Sequence, residues 1–243
     1  MPPSEQIKSR FGPPIVIEQE MRTGAVSYWQ GDYYQSRADK NGVSLLNYIH
    51  ALFGLIRQKK SQTVLMIGCA GGSLATMLTR AGCDVVAVDL NPQSFVLARR
   101  HFFLPDKVEC RVADGFKFLR STRRKFDAVV LDAFRGGRVA SELLAEDFFA
   151  QAKKRLRKGG VVFANMHLRN DGDTAADRVA DRMAASFSDV RILDRPGKKH
   201  RNAIVMGGSV RGLKRPSLLM RPTIESAKLE RTLASMQFRA PRR

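Results

Sequence analysis

The stretch Val64-Leu65-Met66-Ile67-Gly68-Cys69-Ala70-Gly71-Gly72-Ser73-Leu74 decides how the rest of the chain is read. It opens as a short apolar strand, passes through a glycine-rich turn and ends where a helix starts. Glycines let the backbone come close to a ligand, and a helix N-terminus favours a negative group there. The spacing is not the GxGxxG of dinucleotide sites, which makes NAD a poor fit. Downstream the same strand-then-helix pattern repeats. Short apolar strands at 63–67, 85–89, 108–112, 126–131 and 161–165 alternate with helices at 73–81, 92–102, 115–120, 141–156 and 174–187. The strands at 190–193 and 203–206 are separated by a polar turn too short for a parallel crossover, so they are expected to pair antiparallel.

This alternation predicts an α/β fold: a Rossmann-like, mainly parallel sheet covered on both faces, closed by a final antiparallel strand. Upstream, residues 15–18 and 26–29 flank the turn Arg22-Thr23-Gly24 and read as a small β-hairpin. A lone hairpin is barely stable in water, so it should pack on the main domain or on a second subunit. Residues 44–58 carry apolar positions at helical spacing, with Ser44 as the expected N-cap. Residues 1–14 are rich in Pro and polar groups and are expected to lack regular structure. Three segments follow: 1–43, a tail and hairpin; 44–208, a Rossmann-like domain in the arrangement used by nucleotide-binding proteins; and 209–243, a basic tail with a helix at 224–238.

Length and composition agree with one globular domain plus appendages. The chain has 243 residues, 44% hydrophobic and 27% charged, which excludes a disordered chain. No run of about 20 apolar residues offers a membrane span. Cys69, Cys83 and Cys110 are too few and too scattered for a disulfide scaffold or metal site, and point to a reducing cytoplasm. The net charge is +19, and residues 191–243 hold a surplus of 11 positive charges. A basic C-terminal quarter is either a solvated surface or a contact for an anionic partner such as nucleic acid.

Three acids sit where such a sheet places ligands, beyond the C-terminal ends of its strands. Asp89 ends the second strand, 21 residues after Gly68, and can accept both ribose hydroxyls. Asp114, followed by Gly115, comes after the third strand and can accept an exocyclic amine of adenine. Asp132 comes after the fourth and faces the crevice where a transferred group would sit. Tyr28, Trp29, Tyr33 and Tyr34 either form a lid over a cation or pack the hairpin onto the domain. His50 reads as a buried structural histidine, Cys69 as an unreactive thiol, and His167 as a residue at the crevice edge. There is no metal cluster.

Taken in order, VLMIGCAGGSL, VDLNPQSFVLAR, VADGFKFL, FDAVVLDAF, ELLAEDFF and LRKGGVVFANM resemble the spermidine synthase (polyamine aminopropyltransferase) family, and most of all its shorter spermidine-synthase-like relatives. Upstream, Gly31-Asp32-Tyr33-Tyr34-Gln35-Ser36 looks like the family's substrate-gating segment. The resemblance spans about residues 28–166, and single motifs are shared with S-adenosylmethionine-dependent methyltransferases. It implies a donor, decarboxylated S-adenosylmethionine or S-adenosylmethionine, lying over Gly68, Gly71 and Gly72. Asp89 would hold its ribose, Asp114 and Gly115 its adenine, and Gln35 would lie near it. Asp132 would deprotonate the attacking amine, since a protonated amine is no nucleophile.

Two departures stand out. Where the family carries a second acid three residues after the catalytic Asp, this chain has Arg135, a poor neighbour for a diamine. The glycine turn also lacks the acid usual before its last two glycines. The expected function is therefore aminopropyl transfer to an amine, with methyl transfer on the same scaffold as one alternative. A non-catalytic nucleotide- or RNA-binding module is the other, and a pure binder has no need of Asp132. A homodimer is a further expectation carried by the resemblance.

Overall fold

The computed structural model describes residues 4–135, 138–139 and 145–242. Four antiparallel strands open the chain: β1 (Ser4–Ile7), β2 (Ile15–Gln19), β3 (Val26–Gln30) and β4 (Tyr33–Ala38), paired in that order. The expected hairpin is thus half of a larger sheet. The expectation of an irregular 1–14 fails at β1, whose Glu5 and Ile7 pair with Ile17 and Ile15 of β2. Pro2, Pro3, Pro13 and Pro14 flank this strand without interrupting it, so the ladder keeps its N–H donors. The sheet does pack on the main domain. Ile15, Ile17, Val26, Tyr28 and Ala38 form a buried cluster with Leu97 and Phe102.

Next come α1 (Asn47–Gln58), β5 (Thr63–Ile67), α2 (Ser73–Arg80), β6 (Asp84–Asp89), α3 (Pro92–Phe102), β7 (Glu109–Val112), α4 (Gly115–Ser121) and β8 (Phe126–Leu131). A short hairpin, β9 (Phe134–Arg135) with β10 (Arg138–Val139), precedes α5 (Glu146–Arg155), β11 (Leu156–Leu168), α6 (Ala175–Ala184), β12 (Val190–Asp194) and β13 (Arg201–Gly208). The chain closes with α7 (Ser226–Ala234) and β14 (Gln237–Arg239). Ser44 does not cap α1: Leu46 holds the N-cap position, and the Ser44 hydroxyl instead accepts from the Leu46 N–H. Positions 140–144, where the sequence pattern begins the fifth helix, lie outside the described residues.

The large sheet runs β14-β12-β13-β11-β8-β5-β6-β7. β11, β8, β5, β6 and β7 are mutually parallel, while β13 pairs antiparallel with both β11 and β12. Alternate residues of each strand feed opposite faces. Val64 and Met66 of β5 enter one core with α1 and α2, and Leu65 and Ile67 enter the other with Phe148 and Phe149 of α5. Both faces are covered, which is why these strands read as continuous apolar runs.

The C-terminal segment docks on this body. The helix expected over 224–238 stops at Ala234, and Gln237–Arg239 extends to pair with β12. Charge sets that geometry. Arg239 reaches the carboxylates of Asp177 and Asp194, and Asp194, fully buried, also pairs with Arg201 at 2.7 Å.

Candidate active site

In a sheet of this order the ligand crevice opens where neighbouring strands leave in opposite directions, here between β5 and β8. Their C-terminal ends are stitched together, the Asp132 N–H donating to the Ile67 carbonyl at 2.8 Å. Gly68 follows with φ +97°, and a Cβ there would lie 2.2 Å from the Asp132 carbonyl oxygen. Only glycine lets the two strand ends pass so closely.

Two cavities meet at this point. The first, about 350 Å³, is walled by Gly68, Cys69, Ala70, Asp89, Asp114, Gly115 and Asp132, with Tyr28 and Gln35 contributed by the N-terminal sheet. The second, about 390 Å³, is walled by Tyr34, Gln35, Tyr48, Ser73, Asn165, His167, His200 and Asn202. Gln35, Cys69, Ala70, Asp132 and Phe134 border both. Each is of a size that holds a small organic ligand.

Two of the three acids of the first cavity, Asp89 and Asp114, are fixed by backbone. Asp89 accepts from the N–H of Cys69 and of Asn91, both at 2.8 Å, while burial pushes its carboxyl above the usual range. Asp114 caps α4 by accepting from the Lys117 N–H at 2.8 Å. Gly115 is there because a Cβ would lie 2.3 Å from Ile67 Cγ2. Gly71 and Gly72 lie outside both cavity walls. A Cβ on Gly71 would strike Ser36 and Phe102, and Gly72, the N-cap of α2, packs on Leu104. These two glycines serve the packing of the turn against β4 and α3.

Asp132 is the electrostatic centre. Asn165 donates to its Oδ1 at 2.7 Å and the Tyr48 hydroxyl to its Oδ2 at 3.3 Å. Asn202 holds Asn165 in turn, donating to its Oδ1 at 3.0 Å. Burial drives the Asp132 carboxyl up to about 6, against the pull of the two hydrogen bonds. Such a group is ionised near neutral pH yet basic enough to take a proton. Burial and the Asp132 charge also push the Tyr48 phenol well up, so Tyr48 stays a donor.

The other candidates fall out plainly. His50 is buried, bonded through Nε2 to the Ser44 carbonyl at 2.7 Å, and away from both cavities. The Cys69 thiol is pushed up by burial, which keeps it unreactive. His167 lines the second cavity beside His200, ring centroids 5.9 Å apart. Of the aromatics, Tyr28 is buried in the sheet core and Trp29 stacks on Tyr34 at 3.4 Å. The side chains of Tyr33 and Arg135 lie outside the described residues. No set of three metal-ligating side chains occurs among the described residues. Sequence reasoning missed Tyr48, which sits in an ordinary helical apolar pattern, and Asn165 and Asn202. Asn165 carried one usable signal, a polar residue in the apolar strand β11.

Sheet order and crevice define a methyltransferase-type Rossmann domain with a cavity of about 350 Å³ at its switch point. A family described as methyltransferase domain matches residues 64–160. The chain is 31% identical over 169 residues to the polyamine aminopropyltransferase of Neisseria meningitidis serogroup A, covering 67% of this chain and 63% of that one. It is 33% identical over 168 residues to that of Chromobacterium violaceum, with the same coverage. A probable spermidine synthase from Corynebacterium glutamicum superposes with a TM-score of 0.79 at 18% identity, covering 99% of this chain and 92% of that one. The chain is thus related to the polyamine aminopropyltransferases, the spermidine synthase family, on a methyltransferase-type fold; the match spans about 63% of the length of those relatives.

Proposed function

We propose that this chain is a transferase that moves an alkyl group, of the aminopropyl type, from an adenosyl sulfonium donor to an amine. The observation that carries this reading is Asp132, a carboxylate raised to about 6 that stands between two cavities and is oriented by Tyr48 and Asn165. In this reading the first cavity takes the nucleoside. Asp89 accepts from the ribose hydroxyls and Asp114 from the adenine amine, with Gly68 and Gly115 giving close approach and Gln35 flanking the donor chain. The second cavity takes the acceptor. Asp132 removes the amine's proton, and the lone pair then attacks the carbon beside the sulfonium as the carbon–sulfur bond breaks. Alignment of the two reactants supplies much of the rate.

Methyl transfer on the same residues is the second reading, favoured by the methyltransferase match and by Ala70 in the turn where the family carries an acid. Mass spectrometry separates the two. After incubation with donor and a mixture of amines, the first reading expects an amine heavier by a three-carbon amino group and the second an amine heavier by a methyl group. No heavier amine with either donor form overturns both.

A further inference from the structure

We propose that the end of the sheet opposite the crevice binds a nucleic-acid duplex through its phosphates. This stands apart from the reading of the crevice as a transferase site. The crevice lies at the C-terminal ends of the parallel strands, with Asp132 just beyond β8. The N-terminal ends of β5, β8 and β11 lie about 20 Å away, the length of the six-residue β8. Two sequence runs meet at that end. Residues 120–125 and 153–158 hold nine Lys and Arg and no acid. Both lie outside the basic C-terminal quarter. The pairing of Leu156 with Phe126 brings them side by side. The Arg155 side chain bridges them, donating to the Leu119 and Arg120 carbonyls at 3.0 and 2.9 Å. Lys60 joins from the β5 side, two residues before Gln62, whose N–H donates to Asp127 Oδ2 at 2.9 Å.

The fold itself uses part of this charge. Arg155 and Lys125 meet carbonyls in the last turns of α4 and α5, where a cation suits the negative end of a helix. Arg124 pairs with Glu109 and Arg157 with Asp127. Of the other acids at this end, Asp189 is taken by Arg211, and Asp84 opens β6, one strand beyond β5. Lys60, Arg123, Lys154 and Lys158 are left. All four are exposed, and their charged groups meet no partner among the described residues. Like charges gathered on neighbouring strand ends repel one another. A phosphate backbone offsets that repulsion, since a duplex carries about one negative charge per 1.7 Å of its length. Other partners fit less well. None of the exposed large apolar side chains of the described residues falls within 59–62, 120–127 or 153–160. A membrane-binding face buries an apolar stripe, a protein interface has an apolar core, and a single strand is gripped by stacking on aromatic rings. A duplex backbone needs only the cations.

The test is fluorescence anisotropy of a short labelled DNA duplex titrated with the full chain across a salt series. The expected dissociation constant is about 10 μM at physiological salt, with a log–log salt slope of about −4 from the four free cations. Arg123→Glu, Lys154→Glu and Lys158→Glu together should weaken binding about tenfold or more and bring the slope to about −1. Lys8→Glu, Lys198→Glu and Lys199→Glu together make the same change in net charge away from this end and should leave the slope as it is. All six side chains are exposed and outside both cavity walls, so both variants should melt like the wild type, and failure of the transferase reading would leave this result standing. Equal losses in the two triple variants would mean binding by net charge alone and overturn the site. A wild-type slope shallower than about −2, no binding at low salt, or tighter binding to the single strand or to phosphatidylglycerol vesicles overturns the duplex.

Discussion

Replacing Asp132 with Asn should stabilise the protein above pH 7 while removing the proposed base. The Asp132 carboxyl titrates at about 6 in the fold against 3.8 for a free carboxyl. Between those values the folded state binds more protons than the unfolded one, so stability falls as pH rises through that window. Above it the wild type carries the full cost of an ionised buried carboxylate. At about 1.4 kcal/mol per pH unit that cost is at most about 3 kcal/mol. Asp132 is half-buried and borders two cavities, so solvent screening reduces the figure to about 2 kcal/mol. Asn keeps the contacts, since its carbonyl can accept from Asn165 and its amide can donate to the Tyr48 oxygen. In a chain of this size the gain corresponds to about 4–8 °C in Tm. Thermal melts of both proteins at pH 8 and pH 4 check it: the gap should be present at pH 8 and close at pH 4, where both side chains are neutral. Equal melting points at pH 8, or a gap that widens toward pH 4, would refute the electrostatic account of this site.

Other consequences are as specific. Transfer should rise with pH through about 6, because Asp132 must be ionised to accept a proton; a rate–pH profile flat from 5 to 8 would count against it. Gly68→Ala forces a Cβ against the Asp132 carbonyl at positive φ; it should cost about 2–3 kcal/mol in urea unfolding and weaken nucleoside binding. Arg201→Ala should leave the fully buried Asp194 short of its main partner and cost about 3–5 kcal/mol by the same measurement at pH 7. Pairing holds the Asp194 carboxyl below the usual range, so the stability it adds is present at neutral pH and is lost as the solution is acidified through that lowered value. The deficit of Arg201→Ala should therefore shrink in acid.

Much of the fold could be read from the chain because its strands are buried on both faces. β5 falls at 63–67, as the apolar run predicts, and β8 at 126–131. The misses have physical causes. Ser4–Ile7 has no apolar run to announce it, and it becomes a strand because β2 offers an open edge. Gln237–Arg239 continues a helical pattern in sequence, yet Arg239 is drawn to Asp177 and Asp194, 62 and 45 positions away. That attraction also bears on the basic C-terminal quarter. Arg211 meets Asp189 and Arg239 meets Asp177 and Asp194, which fastens the segment to the domain, while Arg221 and Lys228 pair with Glu230 and Glu225 inside the segment itself.

The candidate site was legible where its residues are carried by strand ends. Gly68, Asp89, Asp114, Gly115 and Asp132 stand at or just beyond the ends of β5, β6, β7 and β8, and Gln35 reaches the same cavity from β4. Gly71 and Gly72 belong to the same motif but answer to packing, because the contacts that demand glycine there come from Ser36, Phe102 and Leu104. Tyr48 and Asn202 reach the Asp132 network from α1 and β13, across 84 and 70 positions, and only the tertiary fold brings them there.

The central claim is that Asp132 serves group transfer from an adenosyl sulfonium. The most direct measurement is the release of thioether nucleoside, followed by liquid chromatography, with the wild type and Asp132→Asn compared at pH 8 on each donor form and an amine mixture. The account predicts amine-dependent release by the wild type and a fall of at least about 100-fold in the variant, with donor binding retained. Equal release by the two proteins, or none by the wild type despite donor binding, would contradict it.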